Sequence, residues 1–410
     1  MKKYVIIGNG TAAVGCVEGI RSVDKKSKIT IISEEKHAVY SRPLISYYLE
    51  GKTDLHRMKY RGDSFCEDND CRVLYGTRAV SIDPEKKLVA LNDGAKLDYD
   101  ALCVATGSRP FVPPFEGLET VEKKFSFMKL DDALALEGTL TKVARVLIVG
   151  AGLIGLKCAE GIRDRVGEIT VCDLADRVLS SILDADCAKI VQERLEANGL
   201  HFLLGDTAVR FEKSKAVMKS GKTVEFDVLV LAVGVRANTE LVKEAGGNVN
   251  RGIVVDEKLQ TTLPCVFAAG DCAEGFDASI GANRVLAILP NAYLQGHAAG
   301  VNMAGGKACF DNAIPMNSIG FFGYHIMTAG AYDGEMIEEK TGSGVKRFFI
   351  GENRLKGYIL LGEVERAGIY TSLIRERTPL DTIDFDLMKK VATNMIYSEK
   401  ERRKTFGDVV

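Results

Sequence analysis

No apolar run in this 410-residue chain is long enough to cross a bilayer. The longest lies around Val146–Leu156, against the roughly 20 residues a spanning helix needs. Nor is there an excess of charge: 54 Lys and Arg against 56 Asp and Glu leave −2, which gives no reason to invoke nucleic acid or an anionic membrane. Ten cysteines are scattered without a regular framework, so reduced thiols are expected, and no spacing offers an iron–sulfur or zinc site. None of the five histidines stands in a known motif. The start, MKKYVIIG, has the look of a signal segment, but Gly8 and Gly10 cut its apolar run and no cleavage site follows. The chain therefore reads as cytoplasmic and globular, with no metal, nucleic-acid or membrane partner. Its 46% apolar content supplies core for two or three domains.

What is present is a motif that occurs twice. VLIVGAGLIGLKCAE, Val146–Glu160, runs four apolar residues into Gly150, Gly152 and Gly155 and continues as a helix-compatible segment. That is the pattern of a buried parallel strand, a tight turn and a helix whose first N–H groups face a phosphate. YVIIGNGTAAVGCVEGI, Tyr4–Ile20, repeats it with Gly8, Gly10 and Ala13 in the three small positions. One copy alone is a weak signal. Two copies, each followed by an acid at ribose distance, imply two dinucleotides on one chain. Glu34 comes 24 residues after Gly10, beyond the strand KITII, and Glu35 adjoins it; a solvated acidic turn is the alternative. Asp173 comes 23 residues after Gly150, at the end of EITVCD. An acid there repels a 2′-phosphate and so favours NADH over NADPH, although Arg177 nearby leaves room for some NADPH tolerance.

Between the copies, YSRPLISYYLEG (40–51) suits a helix after Pro43, packed beside a ring, and Arg42 is placed to hold a pyrophosphate or a carboxylate, or to lie on the surface. Residues 71–104 alternate short β-like runs with turns. They end in ALCVATGSRP, where the small trio Ala105, Thr106 and Gly107 lets backbone approach a ligand. VLVLAVGVRAN (228–238) repeats that strand-then-glycine pattern, so the duplication is one of whole domains. In CVFAAGDCAEG, Asp271 after Gly270 suits a ribityl hydroxyl, a bridging water or an N-cap. A helix starting near Asn291 would aim its positive end at a flavin edge. The last hundred residues show amphipathic β patterns, two short helices and no nucleotide motif. The final IYSEKERRKTFG reads as a solvated helix or tail, with partner docking as the alternative.

In this order, these features resemble the pyridine-nucleotide–disulfide oxidoreductase superfamily of FAD/NAD(P)H flavoproteins. SEE with YSRPLISYYL, and NSIGFFGYHIMTAG with LKGYILLGEVERAG, carry a narrower resemblance. It is to the branch of NADH:rubredoxin oxidoreductases, nitrite reductase flavin modules and ferredoxin-reductase-like proteins. The resemblance implies an α/β fold of two Rossmann-like domains (glutathione-reductase-like) plus an α+β C-terminal domain. FAD would occupy 1–113 with 238–309, NAD 114–237, and an interface domain 310–410. FAD contacts would fall at Gly8, Gly10, Thr11, Ala12, Glu34, Glu35, Arg42, Ala79, Ala105, Thr106, Gly107, Gly270, Asp271, Asn291 and Ala292. NADH would use Gly152, Leu153, Ile154, Asp173 and Gly234.

The chain departs from that family in two places. Ferredoxin-reductase-like members carry a lysine after the Pro-Leu-Ser turn and a glutamate on the NAD helix, meeting beside the flavin. Here those positions are Tyr47 and Lys157, so the cation sits on the opposite partner. Lys157 would stabilise reduced flavin or merely snorkel from its helix, and Tyr47 would stack on or gate the ring, or pack in the core. Disulfide-reducing members need a thiol where this chain has Ser41–Ser46, and there is none. Cys66 and Cys71 have the spacing of a redox pair but fall in the acidic turn CEDNDC, away from the segment expected at the ring; no C-terminal His-Glu pair is evident. The expectation is an NADH-dependent FAD oxidoreductase serving rubredoxin, ferredoxin or an iron–sulfur subunit. It would act alone, as a homodimer, or within a larger redox complex that also runs toward NAD⁺. An NADH oxidase or other small-molecule reductase, and a redox-sensing binding module, are the alternatives.

Overall fold

A computed structural model describes residues 1–390. The charged segment Ile396–Gly407 lies outside the described residues. Two compact units result: Met1–Gly275 with Leu289–Phe310, and Phe276–Ile288 with the chain from Asp311 onward.

The larger unit holds two parallel five-stranded sheets. In the first, the strand order is Val266–Ala268, Ala101–Val104, Lys3–Ile7, Lys28–Ser33, Cys71–Tyr75. In the second it is His201–Leu204, Glu168–Asp173, Arg145–Val149, Val228–Leu231, Lys124–Phe125. The central strands, YVII and VLIV, are buried at every position, as a sheet covered on both faces requires. Each sheet carries a three-stranded antiparallel insert at the same place in its chain order, 79–98 in the first and 208–225 in the second. The first sheet receives its last strand only after the second sheet is complete. The chain thus leaves the first domain, builds the second and returns. The exit and return segments pair antiparallel, Ser108–Pro110 with Val235–Ala237, and Arg109 stands opposite Arg236.

Small residues set how tightly the first domain packs. Helix Thr11–Val23 lies against helix Leu289–Met303. A Cβ at Gly15, Gly19, Gly296 or Gly300 would come within 2.0–2.2 Å of a backbone oxygen on the facing helix. Glycines four apart on both helices let the backbones touch.

In the smaller unit, an antiparallel sheet runs in the order Met316–Phe321, Tyr324–Gly330, Arg354–Leu361, Val345–Gly351, Glu335–Lys340. Helices Ala367–Arg375 and Phe385–Lys390 supply Tyr370, Leu373 and Met388 to a core with Phe348 and Tyr358. The amphipathic β pattern expected of the last hundred residues fails in strand Val345–Gly351, where Val345–Phe349 is buried throughout. Lys346 and Arg347 are tolerated because Glu363 (3.6 Å) and Glu338 (2.6 Å) neutralise them.

Candidate functional site

Both glycine turns are built alike. Gly8 closes its strand at φ 110° and its N–H donates to the Ile32 carbonyl at 2.8 Å; Gly150 does so at φ 118°, to Cys172 at 2.8 Å. At these positions any side chain would collide with backbone: a Cβ would lie 2.1 Å from the Ala105 oxygen and 2.2 Å from the Ala232 oxygen, respectively. Two residues on the situation reverses. Gly10 and Gly152 are the N-caps of helices Thr11–Val23 and Leu153–Ile162, and nothing lies within 4 Å of a Cβ built on either. Open space before the unpaired N–H groups of a helix start is an anion cradle. There are two, and a Cβ would intrude on both. The residues present therefore fit two dinucleotides.

Around the first cradle the predicted residues converge. The Ala105 N–H donates to the Ile7 carbonyl at 2.7 Å, and Gly107 (φ 64°) has open space where a Cβ would stand. The Thr106 hydroxyl donates to the Asn238 carbonyl at 2.8 Å, and the Asn238 amide returns a bond to the Thr106 carbonyl at 2.9 Å. A Cβ on Gly270 would sit 3.1 Å from that of Ala12 and 3.6 Å from that of Ala292, which joins Ala12, Gly270 and Ala292 in one wall, with Thr11 buried next to Ala12 in the chain. Asn291 beside them is 1% exposed. Asp271 accepts from the Ser108 hydroxyl at 3.0 Å; burial raises its carboxyl above the ordinary value, and Ser108 and Arg42 work against that. Sequence reasoning missed Gln295, whose side-chain oxygen takes the Gly270 N–H at 2.8 Å.

The acids after strand Lys28–Ser33 are already engaged. Glu35 pairs with Arg42 at 2.5 Å and accepts from the Tyr40 hydroxyl at 2.8 Å; Glu34 faces Lys129 at 3.7 Å. Arg42 thus holds a carboxylate, one of the readings open to it. Ala79 opens the strand Ala79–Asp83 opposite Leu91.

At the second cradle, Asp173 turns back onto the glycine turn. Its two carboxylate oxygens accept the Ala151 N–H at 2.7 Å and the Ala175 N–H at 2.8 Å. Each oxygen keeps a lone pair for a ribose hydroxyl. Leu153 and Ile154 are half-buried at the helix start, and Gly234 (φ 113°) has open space in place of a Cβ. Arg177 is held by Asp176 at 2.8 Å and by the Leu183 carbonyl at 3.3 Å.

Lys157 and Tyr47 do meet. The lysine ammonium lies 4.6 Å from the centre of the Tyr47 ring and pairs with Glu160, one turn further along the same helix. Lys157 is 17% exposed and Glu160 5%, so the lysine does not snorkel to solvent. Sequence reasoning missed Glu160, although its spacing of three from Lys157 was readable. Cys66 and Cys71 stand apart from all of this, at the Cys71–Tyr75 edge of the first sheet. Burial and the Cys66 thiol push Cys71 up to about 12, the reverse of a reactive thiolate. Cys66 and Cys71 are free thiols, not a disulfide, and no cluster among the described residues would hold a metal.

Comparison with known proteins decides the family. Residues 2–296 match the family described as pyridine nucleotide-disulphide oxidoreductase. The chain belongs to it. It is a flavoprotein oxidoreductase that uses FAD and NADH. One relative is the epsilon subunit of the NADH-dependent phenylglyoxylate dehydrogenase of Aromatoleum evansii, 32% identical over 92% of both chains. Another is the NADH oxidase of Methanocaldococcus jannaschii, 34% identical over 75% of this chain and 71% of that one. The fold matches a crystal structure of a covalent putidaredoxin reductase–putidaredoxin complex with a TM-score of 0.87, covering 100% of this chain and 99% of that one at 22% identity. Among the described residues no helix is long and apolar enough to cross a membrane.

Proposed function

We propose that this chain passes electrons from NADH, through FAD, to an iron-containing electron-transfer protein such as rubredoxin, ferredoxin or an iron–sulfur subunit, in the cytoplasm. FAD, when bound, supplies the chemistry that takes a hydride and gives electrons back singly. The observation that carries the reading is the pair of open glycine cradles in one compact unit, with no thiol in the segment Ser41–Ser46. A disulfide substrate would need that thiol.

In this reading Gly8, Gly10, Thr11 and Ala12 cradle the FAD pyrophosphate, with Arg42 nearby. Ala79, Glu34 and Glu35 lie toward the adenosine. Ala105, Thr106, Gly107, Gly270 and Asp271 line the ribityl chain, and Asn291 and Ala292 approach the ring. Gly152, Leu153, Ile154, Asp173 and Gly234 bind NADH. Lys157 brings a positive charge toward the flavin and Tyr47 orients it. Replacing Lys157 by Ala should then change the flavin potential or its rate of reduction, and a variant unchanged in both would return Lys157 to a packing role.

The deciding experiment is anaerobic reduction of the bound flavin by NADH, followed by reoxidation with oxidised rubredoxin or with oxygen. Fast reoxidation by rubredoxin and slow by oxygen supports the reading. The reverse favours an NADH oxidase, the activity named for the 34% identical relative. The epsilon-subunit relative, matched over 92% of both chains, favours a place in a larger complex, which co-purification with an iron–sulfur partner would reveal.

A further inference from the structure

We propose that Glu160 carries a proton from the Lys157–Tyr47 contact to solvent. The need for one follows from the stoichiometry of the proposed reaction, on which this inference rests. One NADH and two oxidised one-electron carriers give NAD⁺, two reduced carriers and one proton. The hydride brings that proton into the site, and carriers that accept only electrons leave it behind.

The geometry supplies a way out. Lys157 lies over the Tyr47 ring and its ammonium is paired with the Glu160 carboxylate, which is 5% exposed. Glu160 in turn lines a cavity of about 230 Å³ together with Leu49, Glu50, Gly51, Gly161, Asp164 and Arg165. Gly51 and Asp164 are exposed, so the far side of this cavity meets solvent. The wall between is thin because helix Leu44–Leu49 touches helix Leu153–Ile162 directly: a Cβ on Gly161 would stand 2.7 Å from the Ser46 oxygen.

The ionisable groups around this path favour exchange. From the first helix and its following turn come Tyr47, Glu50 and Lys52; Lys52 is paired with Glu50 and lies 6.0 Å from the Tyr47 ring centre. From the second come Lys157, Asp164 and Arg165, the last held by Glu137 at 2.8 Å, which also takes the Tyr48 hydroxyl at 2.9 Å. Three carboxylates, Glu160, Glu50 and Asp164, therefore line one cavity between the half-buried Lys157 and water. A proton passed from the Lys157 ammonium to the Glu160 carboxylate leaves both groups neutral, so no charge is left buried without a partner; the amine then takes up the incoming proton as the carboxyl releases its own into the cavity.

The test uses the full chain with FAD bound. Reduction by NADH moves a hydride and needs no proton path; reoxidation by rubredoxin does. In Glu160→Gln the ratio of reoxidation rate to reduction rate should fall about tenfold or more, in the range general acid–base groups contribute. The solvent deuterium effect on reoxidation should grow, and proton release, read with a pH indicator, should lag behind rubredoxin reduction. Glu160→Asp should recover most of both. If Glu160→Gln does not fold, the double change Glu50→Gln with Asp164→Asn at the cavity rim should delay proton release severalfold, because the rim acids complete the same path. Proton release that keeps pace with electron transfer in the variant that folds overturns the proposal. Wild-type protein that reduces its flavin with NADH but gives electrons to no one-electron carrier overturns the electron-transfer reading instead.

Discussion

In the first nucleotide domain the strand beside the glycine turn ends in Ser33, and in the second the same register position holds Asp173: Ile7 faces Ile32 where Val149 faces Cys172. The Ser33 hydroxyl donates to the Glu35 carbonyl at 2.7 Å and stays out of the turn. The Asp173 carboxylate instead reaches back and takes the Ala151 N–H inside it. Glu34 thus matches not Asp173 but Leu174, which is 63% exposed. The two acids sit at similar distances along the chain from their glycines, yet they are not equivalent. One is part of its cradle; the other lies a residue beyond and faces Lys129. Duplication preserved the backbone turn and let the acid chemistry diverge.

The sharpest way to separate the domains is to fill each turn. Gly8→Ala and Gly150→Ala each force a Cβ into a carbonyl at positive φ, at a cost of about 3 kcal/mol or more. The first should lose FAD, seen as loss of flavin absorbance. The second should keep FAD and lose reduction by NADH. Loss of FAD from both would mean that the domains do not fold independently.

A smaller effect is expected at the third small position, which is Ala13 in one copy and Gly155 in the other. A Cβ on Gly155 would approach the Gly150 oxygen to 2.0 Å, so helix and strand lie closer in the second domain. Gly155→Ala should cost about 1–3 kcal/mol by thermal unfolding. Ala13→Gly should not gain stability, since the first domain already accommodates the methyl. A neutral Gly155→Ala would show that the two helices are equally spaced from their strands.

Asp173→Ala should raise the Michaelis constant for NADH about tenfold, equivalent to about 1.4 kcal/mol, and weaken discrimination against NADPH. Glu34→Ala should leave both unchanged. Discrimination that survives Asp173→Ala removes the acid from ribose recognition and leaves it the turn-fastening role its two N–H bonds already show.

Much of this was legible before any coordinates. Two strand-turn-helix signals, the acid at the end of EITVCD and the return of the chain at CVFAAGD follow from buried parallel strands and backbone sterics, which are local in sequence. The contact of Lys157 with Tyr47 was legible only through family resemblance, since 110 residues separate them. Non-local pairing is what the sequence hides. Nothing in Ser108–Pro110 announces that it pairs with Val235–Ala237, and nothing in Gly270 announces Gln295. The interlocking glycines are an intermediate case. Gly15 with Gly19, and Gly296 with Gly300, have readable spacing, but which helix meets which is decided by the chain's return to the first sheet.

The smallest expected effect concerns Asp271, the half-buried acid at the first cradle. Burial raises the Asp271 carboxyl above its ordinary value, while Ser108 and Arg42 pull it down without cancelling the shift. An acid raised by folding contributes stability that is full below its unfolded value and is lost as pH rises through the folded one. In flavin-free protein, Asp271→Asn stays neutral and escapes that loss. It should melt on the order of a few degrees higher than wild type near neutral pH, and at the same temperature below about pH 4, the ordinary aspartate value. With FAD present the order should reverse, because the carboxylate that burdens the empty fold is the stronger acceptor for a ribityl hydroxyl. Identical melting of the two proteins across this range would remove burial as the dominant influence on Asp271. A variant that holds FAD as tightly as wild type would remove the ribityl contact and leave the acid its bond to Ser108 alone.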